Sequence, residues 1–345
     1  MKRNTGYDLI RIISIFLVVA SHANVAYLGA NQGKAGWFFV VVCTAICSVS
    51  VPLFFMVSGA LLLDADRVIT LRELFLKRIP KQAVPFAVWS LIYVIARIVM
   101  GKIPFSLSAF TSLIHEPAYY QFWFMYALFA IYLLLPALQA VVLRLERRHL
   151  EYLIALWLVF SLFIPTLQVL VPGFNISEHV DLILCEGYVG YFLLGYYLKK
   201  YHAKASPRAA GIFGVSGVAL AALVSVAEYF ISAERGAKYE GYFNMAYLTP
   251  FVAVAAAGIF VSLQNLSFKK DGTLCKSLKL GSELAIGVFY VHMLVMAVLE
   301  HIGLLADTSV VLLICKTAVS YIASLAIAFV ISRIPYVRKI LMGLK

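Results

Sequence analysis

Residues 7–29, YDLIRIISIFLVVASHANVAYLG, form a run apolar enough to cross a bilayer, yet the run carries Asp8, Arg11 and His22. Such groups cost free energy in hydrocarbon and persist there only where they reach an edge, find a partner or do chemistry. Arg11 and His22 are eleven residues apart. Eleven helical steps of about 100° make three turns plus about 20°, so both side chains project from nearly one face, about 16 Å apart along the axis. A neutral imidazole on that stripe can accept a proton, and a permanently charged guanidinium can hold an anion. Two readings of each residue stay open at this point. Arg11 either snorkels to the headgroups and pairs with Asp8 at i−3, or lines a path with His22. His22 either makes an interhelical hydrogen bond or handles a proton.

Other residues invite the same question. Glu186 and Glu228 lie in the outer parts of their apolar runs, where a carboxylate either reaches water or holds one ring nitrogen of His22 and fixes its tautomer. His292, deep in a late apolar run, is either a structural hydrogen-bonding group or a catalytic one. Ser58 and Gly59 in MVSGALL lack the GxSxG surroundings of a nucleophile elbow and read as a site of close helix packing. Cys43, Cys47, Cys185, Cys275 and Cys315 show no spacing suited to a disulfide framework or a zinc site, so no metal is expected.

The elements that position these residues follow from composition. With 63% apolar and 13% charged residues and a mean hydropathy of +0.91, the chain reads as an all-α, polytopic integral membrane helical bundle. Runs of about 20 apolar residues, each enough to cross roughly 30 Å of hydrocarbon, place about ten spans, at 8–29, 37–63, 83–100, 121–143, 150–171, 181–198, 209–232, 244–265, 282–304 and 309–332. The apolar run after MKRN is not followed by a convincing small-x-small cleavage site, so it reads as an uncleaved first helix. No linker, repeat or low-complexity segment divides the chain, and one membrane-embedded domain over 1–345 is expected.

Charge supplies an orientation. Lys2 and Arg3, the cluster from Arg67 to Lys81, Arg144 to Arg148, Lys199 to Arg208, Lys269 to Lys279 and Arg333 to Lys345 fall on one side of the spans. The other side has Lys34, Lys102, Arg235 and Lys238. The positive-inside rule then places both termini in the cytoplasm. The net charge of +12 thus reflects topology and contact with anionic lipid of the phospholipid bilayer; no basic groove with interleaved aromatics supports a nucleic-acid partner.

Several stretches together resemble the membrane-bound acyltransferase 3 family. DLIRIISIFLVVASH is similar to that family's first helix, where Arg or Lys is followed by ten residues and a His. SVPLFFMVSGALLL (50–63), LFLKRIPKQAVPF (74–86), YYQFWFMYALFAIYLLLP (119–136), GYVGYFLLGYYL (187–198) and IGVFYVHMLVM (286–296) resemble later helices in the same order, so the likeness runs from about residue 7 to 335. The short form without a soluble extracellular domain is similar to the family's stand-alone glycan O-acetyltransferases.

The resemblance implies transfer of an acyl group, usually acetyl, from cytoplasmic acetyl-CoA to a hydroxyl of a lipid-linked or cell-surface glycan, in a multi-pass protein of the cytoplasmic (inner) membrane. His22 would be catalytic, as base for the acceptor hydroxyl or as acyl carrier, and Arg11 would orient the donor or stabilise developing charge. Lys77, Arg78 and Lys81 would take the donor's phosphates, with Lys81 where the family's usual pattern has a second Arg. On the substrate side, Trp123 would stack on a sugar, and Tyr126 belongs to the same aromatic stretch. Gln121 stands where many members have His and would position the acceptor through hydrogen bonds, without acting as acid or base. Glu186 and His292 complete the substrate-side candidates. A different class of protein, a transporter or flippase of a glycan or small molecule, would use the same polar residues, but it predicts inverted repeats with broken helices, which the sequence does not display. Nothing in the sequence requires an oligomer.

Overall fold

A computed structural model describes residues 3–34, 36–64, 67–171, 187–234, 241–243, 246–268, 272–305 and 308–344. Its α-helices are α1 (Thr5–Ala30), α2 (Trp37–Cys47), α3 (Ser50–Leu62), α4 (Leu71–Glu73), α5 (Ile79–Val99), α6 (Leu107–Thr111), α7 (Trp123–Arg144), α8 (Arg147–Trp157), α9 (Ile164–Leu170), α10 (Val189–Tyr201), α11 (Pro207–Glu234), α12 (Pro250–Leu263), α13 (Thr273–His301), α14 (Val310–Arg333) and α15 (Pro335–Met342). No strand occurs among the described residues.

Eight helical segments among the described residues are long and apolar enough to cross a bilayer, where the sequence suggests ten. The difference lies in two places. Of the expected span 181–198, residues 181–186 lie outside the described residues, and α10 (Val189–Tyr201) has 13 residues. The expected span 244–265 becomes the 14-residue α12, because Thr249 caps the helix by accepting from the Val252 amide and Pro250 takes the first helical position. Fourteen residues rise only about 21 Å, less than the hydrocarbon thickness.

Proline also marks the irregular turns. Two π-helical turns, Leu74–Arg78 and Leu158–Phe163, each end two residues before a proline, Pro80 and Pro165. A proline offers no N–H to the carbonyl four residues back and its ring crowds that carbonyl, which favours the wider i→i+5 pattern. Trp37–Leu62 reads as one span by length, but Ser48 and Val49 break it into α2 and α3 ahead of Pro52, for the same reason.

The chain divides into two compact units. The first comprises Met1–Asp66, Val141–Ser282 and Asp307–Val310. It is held by small residues that let backbones touch, the usual device where lipid removes any hydrophobic drive between helices. A Cβ at Gly59 of α3 would meet the Phe192 backbone of α10, and one at Gly195 would meet the Met56 backbone of α3. Gly214 and Gly217 of α11 pack in the same way on Gly258 and Ala255 of α12. The chain start is pinned here too, since Asn4 donates to the Gln264 carbonyl (2.9 Å) and Thr5 to the Leu266 carbonyl (2.8 Å).

The second unit comprises Arg67–Ala140, Glu283–Ala306 and Val311–Lys345. Its centre is aromatic: Trp89 stacks on Tyr290 (5.8 Å, 4°), and Phe122 sits edge-on to Tyr93 (5.2 Å) and Phe86 (5.4 Å). The short α15 docks on α5, where the Trp89 indole donates to the Leu341 carbonyl (2.8 Å).

Candidate functional site

In the first unit, α1 begins with Asn4 accepting from the Gly6 and Tyr7 amides. Asp8 lies in its first turn and is 2% exposed. Its carboxylate is gripped by Arg3, whose Nε donates at 2.7 Å and Nη2 at 3.0 Å. Arg3 also donates to the Lys279 carbonyl at 3.1 Å. The i−3 spacing had suggested Arg11 as the partner of Asp8. The structure assigns that role to Arg3, whose planar fork meets both carboxylate oxygens.

Arg11 and His22 are both half-buried, one near each end of α1. Two apolar side chains lie on the stripe between them. Ile15 and Val18, which lie at about +40° and −20° from Arg11 on a regular helix, are 2% and 6% exposed. Arg11 and His22 therefore flank a packed apolar stretch. Nearby hydroxyls turn back on their own helices: Ser21 donates to the Val18 carbonyl (2.7 Å), Thr44 to Val40 (2.7 Å) and Ser48 to Ala45 (2.6 Å).

Of the two carboxylates considered as partners for His22, Glu186 lies outside the described residues. Glu228, 8% exposed, accepts from the amides of Tyr242 (2.7 Å) and Phe243 (3.0 Å). Both of its oxygens thus anchor the chain leading to α12. Phe243 in turn packs on Phe251 (5.8 Å), which makes Glu228 a structural carboxylate.

In the second unit, Lys77 and Arg78 lie on the π turn and Lys81 in the first turn of α5. Arg67 pairs with Glu73 (3.0 Å), and Arg78 lies 3.9 Å from the other oxygen of the same carboxylate. One carboxylate thus faces several cations, leaving the segment basic and exposed enough to take an anion. The end of the chain adds to it. Gly343, at φ +62°, lies against the Lys81 carbonyl so closely that a Cβ would collide, and Arg338 and Lys339 stand one turn earlier on α15. Sequence spacing gave no sign of this meeting, because about 260 residues separate the two segments.

The same unit holds the substrate-side candidates. Gln121 is 1% exposed, and neither carboxamide atom meets hydrogen-bond geometry with a neighbour. Its polar neighbour is the Tyr93 hydroxyl, which already donates to the Tyr290 carbonyl (2.7 Å) and accepts from the Leu294 amide (3.0 Å). His292, fully buried, lies within that same turn of α13. Its Nδ1 is 3.0 Å from the Val288 carbonyl. A carbonyl can only accept, so Nδ1 carries a proton. Trp123 is half-buried with its ring 6.3 Å from Phe124. Tyr126 is 44% exposed and edge-on to Phe86 (5.5 Å), so it faces outward from the unit.

The structure thus gathers Gln121, Tyr93 and His292 around one turn of α13, and gathers Lys77, Arg78 and Lys81 at one end of α5. No group of three or more metal-ligating side chains occurs among the described residues. A family model described as an acyltransferase domain, that of acyltransferase 3, matches residues 4–333. No curated protein and no solved structure matches the chain.

Proposed function

The chain belongs to the acyltransferase 3 family and is a multi-pass membrane acyltransferase, and from that premise we propose that it is an O-acetyltransferase. In this reading it moves an acetyl group from cytoplasmic acetyl-CoA to a hydroxyl of a lipid-linked or cell-surface glycan in the cytoplasmic membrane, with both of its termini in the cytoplasm. The observation that carries the reading is the pairing of Arg11 and His22 on one face of α1, both half-buried.

The chemistry assigned to them balances simply. The acceptor hydroxyl attacks the thioester carbonyl as His22 takes its proton; the carbon–sulfur bond breaks, and the imidazolium returns a proton to the departing thiolate. Transfer by way of an acyl-His22 intermediate has the same net balance. Arg11, charged at any accessible pH, steadies the donor or the developing oxyanion in a water-poor setting. Lys77, Arg78 and Lys81 hold the phosphates of the donor. Gln121 and Trp123 serve the acceptor, one by hydrogen bonds and the other by stacking.

The test is transfer of labelled acetyl from acetyl-CoA to lipid-linked glycan in membrane vesicles. His22→Ala, at equal amounts of folded protein, should lower the rate about 10²- to 10⁴-fold, the usual worth of a general base. A rate equal to wild type would remove His22 from the mechanism. Arg78→Ala should weaken acetyl-CoA binding, and an unchanged affinity would move the donor site elsewhere.

A further inference from the structure

The end of α5 remote from Lys77 and Arg78 borders a cavity of about 570 Å³ in the second unit. Arg78 and Arg97 are nineteen residues apart, about 28 Å along a helix, close to the full hydrocarbon thickness. The cavity is lined by Arg97, Lys102, Glu116, Tyr119, Tyr120 and Glu300, together with small and apolar residues. Its size falls within the usual range for a small-molecule site.

The lining chemistry narrows the ligand. Two cations and two carboxylates balance, so the cavity does not select a polyanion such as the nucleotide end of the donor. Donors, acceptors and two phenol rings share the lining, which suits a polyhydroxylated ring with apolar faces. Tyr119 and Tyr120 lean on each other (5.1 Å, 32°), which leaves the 52%-exposed Tyr120 ring as the aromatic surface of the cavity. Arg97 spends one donor on the Ala118 carbonyl (3.2 Å), which secures the loop and leaves other guanidinium donors for the cavity. Burial first, and then the Glu300 carboxylate, raise the Tyr119 hydroxyl above its ordinary range, with Arg97 opposing. That hydroxyl therefore stays protonated and able to donate.

The aromatic lining continues into the interior of the unit. Tyr119 packs on Tyr93 (5.2 Å), and the Tyr120 hydroxyl reaches the Met293 sulfur (3.4 Å). The next residue is the buried Gln121, whose carboxamide meets the Tyr93 hydroxyl.

We propose that this cavity binds a sugar unit of the acceptor glycan, with Tyr120 as the stacking ring and Tyr119, Arg97 and Glu300 as partners of its hydroxyls. The proposal rests on the acetyltransferase reading and adds the place where the acceptor is held.

Kinetics in vesicles carrying the cell's own lipid-linked glycans, with labelled acetyl-CoA, test it. Arg97→Ala and Glu300→Gln should each raise the acceptor KM about tenfold, the worth of one hydrogen bond to a charged group, with the KM for acetyl-CoA unchanged. Lys102→Ala, at the exposed rim, should raise it less and guards against misfolding as the cause. A photo-crosslinking residue at position 102 should yield a carbohydrate-containing adduct, and the same residue at position 133, where Leu133 is 54% exposed, should not. Unchanged acceptor KM in Arg97→Ala and Glu300→Gln overturns the proposal. So does an adduct at position 102 that contains only phospholipid. If wild type transfers no acetyl to any glycan while position 102 still captures carbohydrate, the acetyltransferase reading fails and the cavity assignment stands.

Discussion

The hydroxyl of Tyr93 donates to the backbone carbonyl of Tyr290 at 2.7 Å and accepts from the amide of Leu294 at 3.0 Å. It thus touches the two groups that a regular α-helix pairs with each other, on the turn that carries His292. Tyr93→Phe keeps the ring and removes both bonds. We expect a loss of about 1–3 kcal/mol, read as a lower midpoint of thermal unfolding in detergent. A wild-type midpoint would mean that α13 closes its own ladder and does not need the hydroxyl.

Glu228→Gln should loosen the chain before α12. Only one carboxamide oxygen remains to accept, and the amino group is turned toward a backbone N–H, donor against donor. A cost of about 1–3 kcal/mol is expected, with faster hydrogen exchange at the Tyr242 and Phe243 amides. If Glu228 served His22 instead, the substitution would lower acetyl transfer at unchanged exchange rates.

Arg11→Lys separates charge from shape. The ammonium keeps the charge but cannot present a planar fork. Loss of one charge-assisted bond predicts about a tenfold fall in transfer for Arg11→Lys and a larger one for Arg11→Ala. Equal activity of wild type and Arg11→Ala would leave Arg11 as a snorkelling residue only.

Gly59→Ala should destabilise the first unit, because its Cβ would be driven into the Phe192 backbone. Overpacking of this kind costs about 1–3 kcal/mol. Ser58→Ala, next to it, should leave both stability and transfer near wild type. Loss of transfer in Ser58→Ala at normal stability would instead make that hydroxyl a participant in the chemistry.

Gly343→Val should release α15 from α5, since the added side chain collides with the Lys81 carbonyl and φ +62° is strained for a β-branched residue. Acetyl-CoA affinity should fall if Arg338 and Lys339 contribute to the donor's anion site, and Arg338→Ala should reproduce the loss without disturbing the docking. Normal affinity in Arg338→Ala would limit the donor site to the residues around Lys77 and Arg78.

Much of this protein was legible before any coordinates. Apolar run length and composition are local properties, and they determined a multi-span all-helical protein because hydrocarbon leaves the backbone no other way to satisfy itself. The 3.6-residue period alone put Arg11 and His22 on one face. The span expected at 244–265 misled because hydropathy averages over a window, whereas Thr249 and Pro250 set a hard start to α12.

Pairings across the chain were another matter, because they depend on which surfaces pack and not on any period. Asp8 had a plausible partner at i+3, and the fold supplied Arg3 along with an anchor at Lys279. Glu228 looked available to a histidine until two loop amides, fourteen and fifteen residues on, took its oxygens. Tyr93 reaches Tyr290 across 197 residues, and Trp89 reaches Leu341 across 252. The sequence by itself determined the class of protein and the one-helix geometry of Arg11 and His22, since both follow from local chemistry. Tertiary structure alone decided the satisfied carboxylates, the burial of Gln121 against Tyr93 and the cavity beside Arg97, since each depends on groups that only packing brings together.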